Sequence, residues 1–256
     1  MRKKSIALTG FTGHVGSYFF NKYKKKYNFI NIKEDIRDIK KIKKKLKNKK
    51  INFFIHLAAI NRSSVLRKKK IYQINYLSVK KIVSQIDFDH FIFASTSHVY
   101  KPQDRIIKET DKTKPQNFYA MTKLKAENEI IKNLKNYSIL RIFNIYGSKQ
   151  RHGYIYKDLE LKIVKNINLD IKNNYRDFVH VNDVARSINH IINKNLKGIF
   201  NISSGKQKSF KQIVNHLLKK NNFKYSNTIN FRKSNNKIVG SNSKIKKTGF
   251  KFLHTI

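Results

Sequence analysis

Short apolar segments alternate with longer amphipathic segments through the first part of the chain. The apolar segments are four or five residues long and are typical of strands that are covered on both faces. We predict strands at residues 5–9, 29–32, 53–57, 91–95 and 139–143. The amphipathic segments repeat apolar residues every three to four positions, as helices do. We predict helices at residues 14–25, 36–46, 71–86 and 117–135.

This alternation predicts βαβ crossovers and therefore a parallel, doubly wound sheet of the α/β class. After Gly147 the alternation becomes less regular. In this second part we predict helices at residues 154–165, 182–193 and 210–218, with strands at 177–181 and 199–202. A chain of 256 residues is long enough for one large domain or two modest ones with a buried core.

A glycine-rich turn joins the first predicted strand to the first predicted helix. Nine glycines occur in 256 residues, and three of them, Gly10, Gly13 and Gly16, fall within seven positions. A strand that passes through such a turn into a helix directs backbone N–H groups and the positive end of the helix dipole at one point. Glycine also lets a pyrophosphate approach the backbone closely. The turn therefore predicts a dinucleotide-binding site.

Tyr119 and Lys123 lie one turn apart in the helix predicted at 117–135, so a phenol and an ammonium group share one face. The spacing alone is not specific, because two other pairs share it: Tyr18 with Lys22, and Tyr76 with Lys80. A phenol with an unperturbed pKa near 10 is a poor base at neutral pH. Because a nearby ammonium favours the phenolate, we expect Lys123 to lower the pKa of Tyr119.

These motifs resemble those of the extended short-chain dehydrogenase/reductases, which include nucleotide-sugar epimerases, dehydratases and reductases. The Thr-Gly-x-x-Gly-x-x-Gly turn, the His-Leu-Ala-Ala segment at 56–59 and the Asp-Ile pair at 35–36 all match that family. The resemblance implies NAD or NADP as the cofactor. The residues that it implies for cofactor binding are Gly10, Phe11, Thr12, Gly13, His14, Val15, Gly16, Asp35, Ile36, Leu57, Ala58, Ala59, Tyr119 and Lys123.

The preference for NAD or NADP stays open at the end of the second predicted strand. Lys33 and Glu34 stand there in place of a clear aspartate. An acid at this position would accept a hydrogen bond from the ribose 2′-hydroxyl, whereas a cation would attract a 2′-phosphate.

The resemblance also implies the catalytic groups. Thr96 matches the family's catalytic Ser/Thr, Tyr119 its acid/base and Lys123 the electrostatic partner of that tyrosine. In the family's dehydratases an acid pair directly follows the catalytic Thr, whereas Ser97 and His98 stand at those places here. This difference disfavours elimination of water.

Three further residues match family positions that contact the diphosphate or a phosphate of a nucleotide sugar: Asn144, Arg176 and Arg232. Arginine is unexpected in a chain that uses lysine almost everywhere, and bidentate phosphate binding is a physical reason for it. A surface salt bridge is the alternative interpretation for each arginine. The chain has no cysteine, which excludes disulfides and cysteine zinc sites, and we predict no metal centre.

The chain is strongly basic, with 57 Lys and Arg against 15 Asp and Glu and a formal charge of +42. Such a charge suggests nucleic acid or an anionic membrane as partner. However, the basic residues extend over the whole length, are mostly lysine and accompany no nucleic-acid-binding motif. We therefore favour lysine on every solvated face, and expect no nucleic-acid partner. No apolar run approaches a membrane span and no signal peptide is evident, so we expect a cytoplasmic protein with no membrane contact.

We expect a Rossmann domain that binds NAD(P), formed by residues 1–145 and 176–202. A small C-terminal lobe, formed by residues 146–175 and 203–256, would bind the substrate. Our hypothesis is an NAD(P)-dependent epimerase or oxidoreductase acting on a nucleotide sugar, with Tyr119 as acid/base. Two alternatives stay open: a nucleotide-linked keto-sugar reductase, and a dinucleotide-binding regulatory module without turnover. The resemblance also implies a homodimer formed through the helix that carries Tyr119.

Overall fold

The computed structural model of the protein describes residues 3–61, 68–150, 152–221 and 225–256. Residues 1–2 and 62–67 of the predicted NAD(P)-binding domain, and residues 151 and 222–224 of the predicted lobe, lie outside the described residues. Within the described ranges, no helix is both long enough and apolar enough to cross a membrane.

Strands and helices alternate as the sequence predicts. In chain order the strands are β1 (Ser5–Thr9), β2 (Asn28–Ile32), β3 (Phe53–His56), β4 (His90–Thr96), β5 (Tyr137–Ile142), β6 (Asn144–Tyr146), β7 (Leu169–Lys172), β8 (Tyr175–His180), β9 (Gly198–Ile202), β10 (Gln207–Ser209), β11 (Ile229–Arg232) and β12 (Lys237–Ile238). The helices are α1 (His14–Tyr23), α2 (Ile39–Leu46), α3 (Lys68–Tyr72), α4 (Ser78–Gln85), α5 (Phe118–Asn133), α6 (Ile155–Val164), α7 (Val181–Lys194), α8 (Phe210–Asn221) and α9 (Ser243–Lys246). A π-helical turn, Gln73–Leu77, joins α3 to α4.

Six parallel strands form the main sheet in the order β2-β1-β3-β4-β5-β9. The chain passes from β1 outward to β2, then returns to β3 on the other side of β1, so the winding direction reverses at β1. An open α/β sheet has its binding crevice at the carboxyl ends of the strands beside such a reversal. The predicted doubly wound α/β fold is confirmed, and the expected crevice lies between the ends of β1 and β3.

Helices cover both faces of the main sheet with separate apolar layers. Phe19 of α1 and Ile188 of α7 are fully buried against one face. Ile82 of α4 and Ile130 of α5 are fully buried against the other face, where they meet Phe54 of β3. Burying one such side chain contributes about 1.5–3 kcal/mol. The apolar strands therefore have helices on both faces, as their continuous hydrophobicity predicts.

The helix predicted at 36–46 begins three residues later, at Ile39. Asp38 caps it, since its side chain accepts a hydrogen bond from the Lys41 backbone N–H at 3.1 Å. Upstream, the Asp35 carboxylate accepts from the Arg37 backbone N–H at 2.9 Å. These two acids hold residues 35–38 in a turn, and an N-terminal cap of this kind stabilises a helix by about 1 kcal/mol.

A smaller unit follows β5 and has its own apolar core. β8 pairs with β6 and β12 in parallel and with β10 in antiparallel fashion, while β7 and β11 form a separate parallel pair. α6 and α8 cover this unit, with Tyr156 and Leu217 buried between them and the strands. Residues 176–180, which we predict as part of the Rossmann domain, instead lie in the smaller sheet. β8 leads directly into α7, whose apolar face packs on the main sheet. The connection from β8 to α7 therefore links the two units.

Candidate functional site

A cleft of about 540 Å³ lies at the carboxyl ends of β1, β3, β4 and β5. The cleft brings together predicted residues from distant parts of the sequence. Its lining includes Gly10, Gly13, His14, Val15, Gly16, Leu57, Ala59, Thr96, Tyr119, Asn144 and Arg176. The position at the reversal of the sheet is where the topology predicts ligand binding.

The glycine turn forms one wall of the cleft and leaves no room for side chains behind it. Gly10 has a φ of +68°, and a Cβ atom there would lie 2.5 Å from the backbone nitrogen of Ala58. A Cβ atom on Gly16 would lie 2.1 Å from the carbonyl oxygen of Gly10. The turn therefore packs directly against the first turn of α1 and the segment after β3. Helix α1 begins at His14, and Gly13 provides no side-chain cap for its first N–H groups. Such a cradle fits a pyrophosphate.

The segment after β3 is held in place by buried polar side chains. The Thr9 hydroxyl lies 3.1 Å from Nδ1 of His56 and accepts a hydrogen bond from the Ala58 backbone N–H at 3.3 Å. Asn75, fully buried in the π-helical turn, accepts from the Ile60 N–H and donates to the Ile60 carbonyl, each at 2.9 Å. Residues 57–60 therefore have a fixed backbone along the cleft.

Sequence reasoning missed Asn75, although it connects this wall to α5. Its Nδ2 lies 3.3 Å from the Thr122 hydroxyl, which donates to the carbonyl oxygen of Tyr119 at 2.7 Å. The only available sequence signal is a polar residue on an otherwise apolar helix face. Its two partners are far away in sequence, so the pattern alone does not distinguish this residue from an exposed one.

Tyr119 lies at the start of α5, which Asn117 caps by accepting from the Ala120 N–H at 2.8 Å. Tyr119 and Thr96 both line the cleft. Burial raises the pKa of the Tyr119 phenol above its ordinary value, and nearby Tyr154 adds to the effect. The lowering of the Tyr119 pKa that we expect from Lys123 stays a prediction.

Lys123 lies one turn below Tyr119, and its side chain is almost completely buried, with 1% of its surface exposed. Its Nζ atom lies 3.9 Å from the centroid of the Phe93 ring. Burial lowers the pKa of Lys123 to about 7, while the charge of Glu127 opposes this shift. The lysine therefore changes between its charged and neutral forms near neutral pH.

The Thr96 hydroxyl accepts a hydrogen bond from the His98 backbone N–H at 3.2 Å and lies 3.4 Å from the His98 ring nitrogen Nδ1. His98 itself lines the cleft. Burial lowers the pKa of His98 to about 4, and the charge of Arg176 adds to that shift. His98 is therefore a neutral imidazole at physiological pH, so it carries no imidazolium proton with which to act as an acid.

Arg176 brings a buried positive charge to the cleft. Only 8% of its surface is exposed, and its Nη1 donates to the carbonyl oxygens of Tyr175 at 2.8 Å and Asn236 at 2.9 Å. Burial lowers its pKa to about 10, and no carboxylate within the described ranges forms an ion pair with it. Asn144 lies nearby and donates to the Asp177 carbonyl at 3.1 Å. A buried guanidinium without a counter-charge attracts an anion.

Arg232 and Asp35 are not among the residues that line the cleft. Arg232 lies on β11 and is exposed, with its Nε atom 3.0 Å from the Asp170 carboxylate. This position does not support the phosphate contact predicted for it. Asp35 forms a salt bridge with Arg37 in a separate groove beside α4, and Arg37 lowers the pKa of Asp35 to about 2. The adenine contact of Asp35 and Ile36 stays a prediction.

Among the described residues, no group of three or more His, Asp or Glu side chains is arranged to hold a metal ion. The only acid that lines the cleft in the described ranges is Asp158. Its carboxylate accepts from the Gly153 N–H at 2.8 Å and also contacts His152. The lining therefore suits an anionic ligand better than a cation.

Comparison with known proteins agrees with this geometry. The family model described as "NAD dependent epimerase/dehydratase family" matches residues 6–203. A provisionally named UDP-glucose 4-epimerase of Methanocaldococcus jannaschii is 32% identical over 248 residues, covering 81% of this chain and 79% of that protein. An ADP-L-glycero-D-manno-heptose-6-epimerase of Brachyspira hyodysenteriae is 28% identical over 190 residues, covering 66% of this chain and 59% of that protein.

Structural comparison supports the same fold. A UDP-glucose 4-epimerase of Thermus thermophilus, solved in complex with NAD, superposes with a TM-score of 0.85 at 17% identity. The superposition covers 98% of this chain and 95% of that one. The chain therefore belongs to the NAD-dependent epimerase/dehydratase family, whose members are NAD(P)-dependent enzymes of the extended short-chain dehydrogenase/reductase type.

Proposed function

We propose that the protein is an NAD(P)-dependent epimerase of a nucleotide-activated sugar. Tyr119 acts as the acid/base, Lys123 as its electrostatic partner and Thr96 as the hydroxyl that orients the substrate. The observation that carries the proposal is one cleft in which the glycine turn, Tyr119 and the unpaired charge of Arg176 meet. Two relatives whose names specify sugar-nucleotide epimerases support the choice of substrate class.

The glycine turn and the fixed backbone at residues 57–60 would hold the dinucleotide. The tight fit around Gly10 and Gly16 keeps their backbone open to a pyrophosphate, while Asp35 and Ile36 would contact the adenine end. NAD(P), when bound, supplies the acceptor and donor of hydride. Lys33 and Arg37, both exposed, and the acid Glu34 lie together beyond β2, so we propose either NAD or NADP.

The side chains around the sugar would move and position one proton. Tyr119 would take the proton of a sugar hydroxyl and later return it, and Thr96 would hold that hydroxyl in line. Burial raises the pKa of Tyr119, so the phenol needs a positive charge behind it to act as a base. Lys123 is the cation in place for this task, one turn along the same helix.

We expect Arg176→Gln to raise the KM for the nucleotide sugar by about 10–100-fold, because a charged hydrogen bond contributes about 1.5–3 kcal/mol. The affinity for NADH should stay unchanged, since Arg176 belongs to β8 of the smaller sheet, whereas the glycine turn follows β1 of the main sheet. Steady-state kinetics and NADH fluorescence titration measure the two quantities.

Arg232→Gln is the matched comparison, with the same change made at an exposed arginine that is paired with Asp170. We expect its KM to equal that of the wild type. Equal increases in KM for the two variants would contradict the assignment of the phosphate site to Arg176.

A mass-spectrometric screen of UDP-, GDP-, CDP- and dTDP-sugars tests the reaction itself. An epimerase needs only catalytic amounts of NAD(P), because the hydride returns to the sugar, whereas a keto-sugar reductase consumes one NAD(P)H per turnover. Epimer formation without net oxidation of cofactor supports the proposal. Product formation that depends on stoichiometric NAD(P)H would instead assign the reductase alternative.

A further inference from the structure

A fully buried acid lies one helical turn beyond Lys123, on the side away from Tyr119. Glu127 of α5 has no exposed surface. Arg141 of β5 holds its carboxylate from the other side, with Nη2 at 2.7 Å and Nε at 3.1 Å from Oε2. The Ser95 hydroxyl of β4 donates to its other oxygen. The carboxylate is therefore held by two residues from two different strands.

Burying a charge costs several kcal/mol unless it is paired, so the Glu127–Arg141 pair alone would already be satisfied. Lys123 places a second buried amine one helical turn from this carboxylate, because residues four apart on a helix are neighbours. When Lys123 is protonated, the three buried groups together carry a net positive charge. A purely structural link between α5 and β5 does not require the second cation.

Besides the Glu127 carboxylate, one aromatic ring favours the charged form of Lys123. The Phe93 ring of β4 contacts its Nζ atom through its face. His56 of β3 is fully buried, and burial lowers its pKa to about 3, with Lys123 as the second cause, so it is neutral. Tyr119, on the same helix, is also neutral at pH 7, because its pKa is raised. Of the titratable groups that face Lys123 in the described structure, Glu127 is the one that favours its protonated form.

We propose that Glu127 is a positioning residue that favours the protonated form of Lys123, and that Arg141 and Ser95 hold its carboxylate in place for this. The proposal rests on the function proposed for Lys123. It adds that the charge behind Tyr119 depends on an acid that never reaches the cleft.

Arg141 is itself anchored by further hydrogen bonds. Its Nη1 donates to the Tyr100 hydroxyl at 2.8 Å and to the Glu109 carbonyl at 3.2 Å. The Tyr100 hydroxyl in turn donates to Asn201 of β9 at 2.8 Å. Because these bonds hold the guanidinium, Arg141 in turn keeps the Glu127 carboxylate fixed one helical turn from Lys123.

The pH dependence of stability measures the charge state of Lys123 without any turnover. A lysine with an unfolded pKa near 10.4 and a folded pKa near 7 binds more protons in the unfolded chain between these values. Its contribution to the free energy of unfolding therefore rises with pH from about 7 to about 10.4 and is flat below pH 7. Urea unfolding gives the free energy of unfolding of the wild type and of Lys123→Met, and their difference isolates this contribution. When this difference is plotted against pH, the lower bend of the curve marks the folded pKa of Lys123.

We expect the same curve, measured with and without Lys123→Met in a Glu127→Gln background, to have its lower bend at a pH at least about one unit lower. Glu129→Gln is the matched control, the same change on the same helix at a side chain whose carboxylate lies 3.4 Å from the Tyr76 hydroxyl. It should leave the bend near 7. An unmoved bend in Glu127→Gln would overturn the proposal.

If Glu127→Gln does not fold, the double variant Glu127→Gln/Arg141→Met removes both buried charges together, which proteins often tolerate. The bend should still lie below that of the wild type, because the nearer anion is lost. A wild-type bend in the double variant contradicts the proposal.

In an active enzyme, the pH at which kcat/KM falls on the alkaline side should be lower in Glu127→Gln than in the wild type. Absence of NAD(P)-dependent turnover would remove the proposed function and leave the stability result to be judged separately.

Discussion

Tyr119→Phe is expected to lower kcat/KM for the nucleotide sugar by about 10²–10⁴-fold, the usual contribution of a positioned acid/base. The ring fills the same space, so the fold and the cleft should persist, and the affinity for NADH should not change. The loss should appear in kcat rather than KM, because the hydroxyl acts on the reacting proton. Steady-state kinetics together with NADH fluorescence titration check both parts.

Tyr76→Phe is the matched control for this variant. Tyr76 begins a Tyr-x-x-x-Lys pair with the same spacing, but its hydroxyl lies 3.4 Å from Glu129 on the outside of the π-helical turn. We expect full activity from it. Tight NADH binding together with undiminished turnover in Tyr119→Phe would favour the alternative of a dinucleotide-binding module or of a different acid/base.

Gly16→Ala is expected to abolish measurable NADH binding and to destabilise the fold. The added methyl group would lie 2.1 Å from the Gly10 carbonyl oxygen and 2.9 Å from Cα of Phe11, both backbone atoms. Because these atoms cannot rotate away, α1 must move relative to the turn, and overpacking of this kind costs about 1–3 kcal/mol. Urea unfolding and NADH titration measure the two effects.

Gly13→Ala separates ligand contact from packing. Gly13 has an ordinary φ of −73°, and a Cβ atom there would meet only the Gly10 carbonyl oxygen, at 3.1 Å. We expect nearly wild-type stability with reduced NADH affinity, since Gly13 faces the cleft. If Gly13→Ala binds NADH like the wild type, the pyrophosphate does not lie against this turn.

The sheet and its helices were predictable because each strand of the main sheet has a short apolar core flanked by polar or turn-forming residues. The short strands of the smaller unit carry no such signal. β6, β10 and β12 are two or three residues long, and β7 and β11 alternate in burial. Their pairing depends on partners that lie far away in sequence. The start of α2 depended on which of two nearby acids acts as the cap.

The positions of Gly10, Thr96 and Tyr119 in the cleft were predictable, because motifs place these residues at the ends of strands or at the start of a helix. Arg232 shows the limit of this reasoning, since its motif context is weak and its partner Asp170 lies on a strand that the sequence does not reveal. The sequence does not single out Glu127. A charged residue on a helix is usually solvated, and only its contact with Arg141 across two elements shows that it is buried.

A crystal structure of the chain with NAD and a nucleotide sugar that it converts tests the central claim most directly. We predict the pyrophosphate against the turn at residues 10–16 and the nicotinamide end beside Thr96. The Tyr119 hydroxyl should lie about 2.6–3.2 Å from a sugar hydroxyl. A dinucleotide bound elsewhere, or a sugar whose hydroxyls do not reach Tyr119, would contradict the account.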